Sequence, residues 1–597
     1  MRRVLAILCL LLAAAVGYWM FRLAQQQELW GYLPLVLYLL SWTGVTGLLT
    51  YKNDRPANQR LLLSTATGIL LGLGFPGYLP LPFLLLVAWV PLLLLQAQTP
   101  SGRTVFWHGF NAFLLYNILA TFWVTNTAFF AGLFAVVINA ALMCIPWMGF
   151  HWTSRVSTRV RYLALGAFWL SFEYFHYNWS LNWPWLTLGN GFAEFPSLVQ
   201  WYEYTGVLGG SAWVLAVNVL VVRYVIGSLT ATVVETQHIA SLRHRWPIVV
   251  GLVTVLPMAF SLVRYHTYTP PPGDTVTVAA VQPNLEPHFE KFTYDRQRQL
   301  DIFAALSLEA LDQAPGPVDY LVFPETSFSN VDEARINSAP AFSALLDVLP
   351  PERLRYLVSG YGGYYRFGTD EQVTPAARYQ SLSDGSQIAF EALNAAVQFD
   401  LNSGEVQSYR KGVFVPGAES FPFKDALFFL EPLVASLGGS VAGLGTQPER
   451  TPFAGERASI APVICYESVF GEYFTGYVRA GAQAAFVMTN DGWWDDTAGH
   501  LQHLYLSSLR AIETRRSVVR SANMGACAFI DQRGHIQSRT HYGERGTLTG
   551  EVRLNDSITP YVRFGDLPAR VALLLAAVAL LSNLAHTLRR RSTLQEG

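Results

Sequence analysis

The sequence predicts two structural classes within one chain, a polytopic α-helical membrane bundle and an α/β domain. Hydrophobic residues make up 51% of the chain and charged residues only 14%, whereas charged residues are about a quarter of a typical soluble domain. The apolar residues are concentrated in 1–265 and 567–597, while 266–566 have the composition of an ordinary globular domain. In that domain short β-rich runs alternate with helical ones, which indicates a sheet buried against helices.

Ten apolar windows are long enough, or nearly so, to cross the bilayer, which takes about 20 helical residues for roughly 30 Å of hydrocarbon. We expect two helices within residues 1–55, a bundle over 56–265, and a last helix with a basic cytoplasmic tail in 567–597. Residues 1–22 also have the basic start, apolar centre and small residues of a cleavable secretory signal, so that alternative stays open. The windows are 4–21, 29–50, 61–75, 80–97, 106–124, 128–150, 162–178, 207–227, 246–264 and 567–587.

Lys and Arg are concentrated in alternate loops between these windows, and such loops are typically cytoplasmic. The connection over 178–204, by contrast, contains neither residue. Both termini are therefore expected in the cytoplasm and residues 266–566 outside it. The net charge of −1 and the lack of a basic run give no indication of a nucleic-acid partner. The basic loop residues are Arg2, Arg3, Lys52, Arg55, Arg60, Arg103, Arg155, Arg159, Arg161, Arg243, Arg245 and the run at 589–591.

The globular segment contains continuous apolar runs that end in polar residues, which places candidate chemistry at strand ends. Thr497 can cap the second of the two predicted helices. The predicted strands lie at 275–283, 319–326, 355–365, 393–400, 458–468, 484–491 and 517–531, and the predicted helices at about 290–313 and 497–516.

Three reactive side chains follow such runs: Glu325 in "VFPET", Lys411 in "SYRKGVF" and Cys465 in "VICYES". A carboxylate, an ammonium and a thiol are the groups required for acyl transfer through a thioester. Glu325 would accept the thiol proton, Cys465 would attack the carbonyl carbon, and Lys411 would stabilise the oxyanion. Each residue alone has an ordinary explanation, as a loop carboxylate, a surface charge and a core thiol respectively. Their joint occurrence in this order favours the catalytic interpretation.

The order Glu–Lys–Cys with the flanks "PET", "RKGVFVPGAE" and "CYE" resembles the nitrilase, or carbon–nitrogen hydrolase, superfamily. With "TNDGWW", "RAIETRRSVVRSANMGACAFID" and the membrane segment "NWPWLTLGN", the sequence resembles the apolipoprotein N-acyltransferase family over about residues 60–587. The resemblance implies a nitrilase-like α-β-β-α sandwich on the periplasmic side of a bacterial inner membrane. The two windows in residues 1–50 are additional to the family's usual eight.

The resemblance also implies a reaction in two stages. An acyl chain would pass from a phospholipid to Cys465, and then to the α-amino group of the S-diacylglyceryl cysteine of an apolipoprotein. The implied partners are therefore the phospholipid donor, the apolipoprotein acceptor and membrane lipids, with no nucleic acid. No metal or organic cofactor is implied.

Supporting residues follow from the same resemblance. Glu419 matches the second glutamate after the lysine, and Tyr466 and Glu467 match the pair after the cysteine. After "AAVQPN" the family usually has a tryptophan, whereas this chain has "LEPHFEKF", so Phe292 would have to take its place.

Further candidates are more ambiguous. Trp493 and Trp494 in "DGWWDD" could shape an acyl pocket or simply pack. His500 and His503 lie one helical turn apart, but no carboxylate has a matching spacing for a metal, so packing is favoured. Cys527 in "GACAF" lacks polar neighbours and is expected in the core.

Two other functions have to be weighed. A membrane-tethered amidase would pass the acyl group to water and would use the same catalytic residues, although a soluble substrate does not require ten spans. A polytopic scaffold or transporter with a degenerate domain is opposed by the intact Glu325, Lys411 and Cys465. The sequence also lacks the charged pairs within apolar windows that mark a transport path.

Overall fold

The computed structural model describes residues 2–99, 101–230, 237–291, 293, 295–383, 385–424, 429 and 443–595. The chain forms two compact units. The membrane unit comprises Met1–Trp179, Trp183–His266 and Asp566–Gly597, and the sheet unit comprises Ser180–Asn182 and Thr267–Gly565. Phe292 lies outside the described residues.

The membrane unit is built from α-helices and short 3₁₀ segments. The 3₁₀ segments are Pro82–Leu86, Pro184–Leu186, Leu188–Phe192 and Pro196–Leu198. The α-helices are Arg2–Gln25, Leu33–Thr50, Arg55–Gly74, Val90–Gln98, Gly102–Thr121, Val124–Thr127, Phe129–Val156, Arg161–Asn178, Tyr202–Thr230, Gln237–Thr267 and Leu567–Gln595.

All ten predicted windows fall on helical segments, but only six described helices are long and apolar enough to cross a membrane. The windows at 61–75, 80–97, 106–124 and 162–178 lie on helices that are shorter or more polar. Length and hydropathy therefore support six of the ten expected spans. The six are Arg2–Gln25, Leu33–Thr50, Phe129–Val156, Tyr202–Gly227, Trp246–Thr267 and Leu567–Arg590.

Small residues allow helices of the membrane unit to approach closely. A methyl group added at Gly68 would lie 2.6 Å from the carbonyl oxygen of Ala112, and one at Gly109 would lie 2.5 Å from the Trp147 ring. Such close contacts are the usual basis of helix packing in lipid, because lipid tails are as apolar as the helix surfaces and supply no hydrophobic driving force.

Asn218 provides hydrogen-bond partners for the backbone at the break between the helical segments Pro82–Leu86 and Val90–Gln98. The Trp89 amide donates to Asn218 Oδ1 at 2.9 Å, and Asn218 Nδ2 donates to the Leu85 carbonyl at 2.7 Å. Asn218 is buried. Irregular backbone at membrane depth requires such partners because hydrocarbon supplies none.

The described part of the sheet unit contains 14 strands in two sheets. The strands are β1 Thr275–Gln282, β2 Val318–Val322, β3 Phe328–Asp332, β4 Leu354–Arg366, β5 Arg378–Ser381, β6 Gln387–Asp400, β7 Val406–Arg410, β8 Phe453–Ala454, β9 Ser459–Ile464, β10 Ala484–Thr489, β11 Ser517–Ala522, β12 Ala528–Ile530, β13 Ile536–Arg539 and β14 Gly546–Arg553. The α-helices are Arg296–Gln313, Pro340–Leu346, Gly471–Arg479, Ala498–Thr514 and Pro560–Phe564.

One sheet has the order β14-β1-β2-β4-β6-β5, with β3 paired to β4 and β7 paired to β6. The other has the order β13-β12-β11-β10-β9-β8. Strands β1, β2 and β4 are mutually parallel, as are β9, β10 and β11. Each sheet is therefore mixed, with a parallel centre and antiparallel edges.

Alternating residues of β1 face two hydrophobic cores. Val278 belongs to a core that it shares with Phe486 of the other sheet, whereas Val281 belongs to a core with Phe303 of the helix Arg296–Gln313. This alternation is that of a strand buried on both faces. The sheets thus pack face to face with helices outside them, which confirms the expected α-β-β-α sandwich.

The structure corrects several predicted boundaries. The run 517–531 is two antiparallel strands, β11 and β12, because the chain turns at Gly525, where φ is +110°. The first predicted helix begins at Arg296 instead of about 290. The amides of His288 and Phe289 instead donate to the side chain of Glu286, which closes a separate turn. Six short or polar strands, β3, β5, β7, β8, β13 and β14, lie outside the predicted strand ranges because they lack a long apolar run.

Candidate active site

The sheet topology brings two of the predicted strand ends to one edge. Strand β7 is antiparallel to β6, which is antiparallel to β4, so β7 runs in the same direction as β4 and β2. Glu325 follows β2 and Lys411 directly follows β7. The carboxyl ends of parallel strands are the usual location of reactive groups in such sheets.

Gly360 in β4 allows the Glu325 loop to lie against the sheet. The Ser327 amide donates to the Gly360 carbonyl at 2.9 Å. A methyl group added at Gly360 would lie 2.7 Å from both Glu325 Cα and the Pro324 carbonyl oxygen. Any larger residue at this position must therefore displace Glu325.

Lys411 lies between two carboxylates. Its Nζ donates to Glu325 Oε1 at 3.1 Å and to the two carboxylate oxygens of Glu419 at 2.8 and 2.9 Å. Asn394 Nδ2 donates to Glu325 Oε1 at 2.8 Å and to Glu419 Oε1 at 2.9 Å. The lysine and the amide thus hold Glu325 and Glu419 together; Lys411, Asn394 and Glu325 are buried, and Glu419 is partly exposed.

Burial opposes the charged forms in this cluster, but the paired charges outweigh it. The carboxylates of Glu325 and Glu419 raise the pKa of Lys411 well above its usual value despite its burial. Burial raises the pKa of Glu325, whereas Lys411, the Asn394 hydrogen bond and Lys291 lower it, and the balance leaves it below the usual value. Glu325 is therefore ionised and Lys411 protonated at neutral pH.

Cys465 occupies a strained turn between β9 and the 3₁₀ segment Cys465–Val469. Its φ is +47°, a region that residues other than glycine adopt at a cost of about 1–3 kcal/mol, often at functional sites. Its carbonyl oxygen accepts a hydrogen bond from Ser468 Oγ at 2.7 Å. This turn places the thiol at the carboxyl end of the strand.

The thiol of Cys465 is held in its neutral form at rest. Burial raises its pKa, the Glu325 carboxylate raises it further, and Lys411 lowers it. An ionised carboxylate and a neutral thiol in mutual electrostatic interaction are the starting state that proton transfer to a general base requires.

Glu467 has a structural position, since its carboxylate accepts five hydrogen bonds. It connects the loop after Lys411 to the turn at Cys465, and it is fully buried. With its acceptor sites occupied in this way, it holds the two loops together and is not placed to take a proton from the thiol. The donors are Tyr409 Oη at 2.7 Å, the Gly412 amide at 2.7 Å, the Ile464 amide at 2.8 Å, and Tyr473 Oη and Tyr477 Oη at 3.1 Å.

The remaining predicted residues make contacts with other parts of the sheet unit. Tyr466 Oη donates to the Asn182 carbonyl at 2.6 Å. The Trp493 ring packs edge-on against His288 with ring centroids 5.0 Å apart, and Trp494 packs edge-on against His503 at 5.4 Å. A substrate-binding role for the two tryptophans stays a prediction.

A buried charged network lies behind the turn at Cys465. His503 Nδ1 is 2.8 Å from Asp491 Oδ1, and its Nε2 is 2.9 Å from Ser468 Oγ and 3.2 Å from the Cys465 carbonyl oxygen. Arg520 also pairs with Asp491. His503 therefore stabilises the turn at Cys465 through buried hydrogen bonds. Its neighbour His500 instead pairs with Asp496.

Cys527 is fully buried, and the Ala522 amide donates to its Sγ at 3.4 Å. This is the core position that the sequence predicts. All four cysteines of the chain are free thiols.

Comparison with known proteins places both units in one family. Residues 67–220 match the family model described as the apolipoprotein N-acyltransferase N-terminal domain, and residues 277–559 match the carbon–nitrogen hydrolase model. Curated apolipoprotein N-acyltransferases of Chlorobaculum tepidum and Azotobacter vinelandii are each 29% identical. The alignments cover 88% of this chain in both cases, and 97% and 96% of those proteins. The chain belongs to the apolipoprotein N-acyltransferase family.

Among solved structures, this chain is similar to a nitrilase-superfamily protein of Saccharomyces cerevisiae, with 16% identity and a TM-score of 0.33 over 47% of this chain and 90% of that one. It is also similar to an amidase from Nesterenkonia sp., with 18% identity and a TM-score of 0.32 over 50% of this chain and 96% of that one.

Several residues of the candidate active site were absent from the sequence prediction. Asn394 lies within β6 and not at a strand end, so the strand-end pattern could not reveal it. Lys291 precedes Phe292 in "LEPHFEKF" and resembles a surface lysine in sequence, but it is buried. The pairing of His503 with Asp491 and Arg520 depends on segments that meet only after folding.

The close approach at Gly360 gives a specific prediction. Gly360→Ala should reduce N-acyltransferase activity about 10²-fold, because a shift of about 1 Å in a reacting group has an effect of that size. Gly362→Ala is the matched control two residues along β4, since its nearest neighbours would lie at 3.9 Å. Activity and thermal unfolding of both variants in detergent would be measured. Equal activity of the two variants would contradict the proposed contact.

Proposed function

We propose that this protein transfers an acyl chain from a membrane phospholipid to the α-amino group of the S-diacylglyceryl cysteine of an apolipoprotein, through a thioester on Cys465. The single observation that carries the proposal is the cluster in which Lys411 bridges Glu325 and Glu419, joined to the turn at Cys465 by Glu467, which accepts hydrogen bonds from the amides of Gly412 and Ile464. The catalytic roles of Glu325, Lys411 and Cys465 are part of the proposal.

In the first stage, Glu325 accepts the Cys465 proton and Sγ attacks the ester carbonyl carbon of the phospholipid. Lys411 stabilises the oxyanion of the tetrahedral intermediate. When the intermediate collapses, the C–O bond to the glycerol breaks and Glu325 returns the proton to the glycerol oxygen. The products are a lysophospholipid and an acyl thioester on Cys465.

In the second stage, the α-amino group of the acceptor attacks the thioester carbonyl carbon. Glu325 accepts a proton from the attacking nitrogen, the C–S bond breaks, and the proton passes to the leaving thiolate. The product is an amide, and the enzyme returns to its resting state. Glu419 and Asn394 keep Lys411 and Glu325 in position during both stages.

The tethered-amidase alternative differs only in the second stage, where water would attack the thioester. Its product would be a free fatty acid and not an N-acylated lipoprotein. The six long apolar helices favour a substrate that is delivered within the bilayer.

The thioester gives the direct test of this function. The purified protein, incubated with phospholipid alone, should gain the mass of one acyl chain on Cys465, measured by mass spectrometry of its peptides. Addition of a diacylglyceryl peptide should remove the adduct and yield the N-acyl peptide. Cys465→Ala should form neither product and should unfold at a similar temperature. An active Cys465→Ala variant, or release of only free fatty acid, would overturn the proposal.

The role of Glu325 predicts a pH-dependent defect. Glu325→Gln removes the base, so the thiol must ionise without a proton acceptor from the protein. Thioester formation should then slow by about 10²–10⁴-fold. Raising the pH should recover part of the rate because hydroxide can then deprotonate the thiol. The rate of adduct formation across pH would be followed by mass spectrometry. A defect that is the same at every pH would show that Glu325 does not act as the base.

The distribution of Lys and Arg predicts that the sheet unit lies on the periplasmic side of the inner membrane. A membrane-impermeant thiol reagent should label a cysteine introduced at Ser383 in intact spheroplasts. A cysteine introduced at Ser592 is the control and should react only after permeabilisation. The reverse pattern would refute the orientation.

A further inference from the structure

Lys291 is a second buried lysine beside the candidate active site. It follows β1, and only 4% of its surface is exposed. Its Nζ donates to the Glu325 carbonyl oxygen at 2.9 Å and to Thr326 Oγ1 at 2.8 Å. Both contacts belong to the loop that carries the proposed base, in which Thr326 has a φ of +49°.

The charges around the site favour a second positive charge near Lys411. The carboxylates of Glu325 and Glu419 face the ammonium of Lys411, which leaves one net negative charge in a cluster that is buried except for the partly exposed Glu419. Lys291 brings the cluster to two negative and two positive charges. Unpaired buried charges are costly, so this balance favours the ionised form of the base.

Other ionisable groups near the reacting atoms have partners of their own. Asp491 interacts with Cys465, but it is paired with Arg520 and His503. Glu467 interacts with Lys411, and its carboxylate is occupied by the five donors described above. Burial also raises the pKa of Glu467, which favours its neutral form.

We propose that Lys291 is a positioning residue that also acts electrostatically. It holds the Glu325 loop through two hydrogen bonds. Its positive charge also stabilises the negative charge on Glu325 before the proton transfer and on the Cys465 thiolate after it. The inference rests on the proposed function, since it assumes that a proton passes between these two side chains.

The electrostatic environment of Lys291 is consistent with this role. Burial lowers the pKa of Lys291 to about 8, although Glu325 and Cys465 both oppose that shift. Lys291 therefore interacts with both ends of the proton transfer. Its charge is present below a pH of about 8 and is lost above it.

Two substitutions separate the charge from the hydrogen bonds. Lys291→Gln keeps a donor for the loop but removes the charge, whereas Lys291→Met removes both. We expect the rate of thioester formation at pH 7 to fall about tenfold or more in Lys291→Gln, which corresponds to a shift of about one pKa unit in the reacting pair. The thiol pKa, measured from the pH dependence of Cys465 alkylation by iodoacetamide, should rise in both variants.

A purely structural role would give a different result. If Lys291→Gln forms thioester at the wild-type rate with an unchanged thiol pKa while Lys291→Met is slow, the charge is not required and the inference is wrong. If either variant fails to fold in thermal unfolding, the wild-type protein gives the second measurement. Its rate of thioester formation should decline as pH rises through about 8, and equal rates at pH 7 and pH 10 would overturn the inference.

These outcomes are distinct from failure of the proposed function. If wild-type protein forms no Cys465 adduct with phospholipid, the proposed function fails. A normal wild-type adduct together with unaffected Lys291 variants rejects only the role of Lys291.

Discussion

The arrangement of the candidate active site depends on the buried ammonium of Lys411. A charge of this kind is tolerated inside a protein only when partners surround it, because the loss of hydration otherwise costs several kcal/mol. Here Glu325 and Glu419 contact the ammonium, and the backbone amide of Lys411 donates to the Asn394 carbonyl. These residues come from the loop after β2, the loop after β7 and the middle of β6. The requirement to pair one charge therefore fixes three segments of the sheet unit relative to one another.

Cys465, the proposed nucleophile, is connected to this cluster through a further buried carboxylate. Glu467 accepts hydrogen bonds from the Gly412 amide, beside Lys411, and from the Ile464 amide, beside Cys465. Ser468 and His503 hydrogen-bond the carbonyl oxygen of Cys465 and so stabilise its strained backbone conformation. The turn is thus held on both sides, as a strained residue requires.

Glu325 and Glu467 are proposed to have different roles because their environments differ. Both hydrogen bonds to the Glu325 side chain, from Lys411 and Asn394, reach the same oxygen, Oε1. Glu467 instead has both carboxylate oxygens occupied by hydrogen-bond donors. In the proposed mechanism Glu325 is the base because fewer hydrogen-bond donors contact its carboxylate than contact that of Glu467.

The sequence by itself determined the two structural classes, the apolar windows and the three segments that carry Glu325, Lys411 and Cys465. Hydrophobic composition and apolar runs are local properties, and a motif such as "VICYES" keeps its order whatever the fold. Even so, length and hydropathy supported only six of the ten expected spans in the described residues. The strand over 517–531 also proved to be two strands around Gly525.

Only the tertiary structure decided which polar residues share one environment. Asn394 and Lys291 carry no signal in the sequence, and His503 was expected only to pack, but the fold brings each within hydrogen-bonding distance of a segment far away along the chain. It also assigned Glu467 to a structural position and gave Gly360 its close contact with Glu325. The physical reason is that burial and charge pairing depend on distances in space, which spacing along the sequence does not specify.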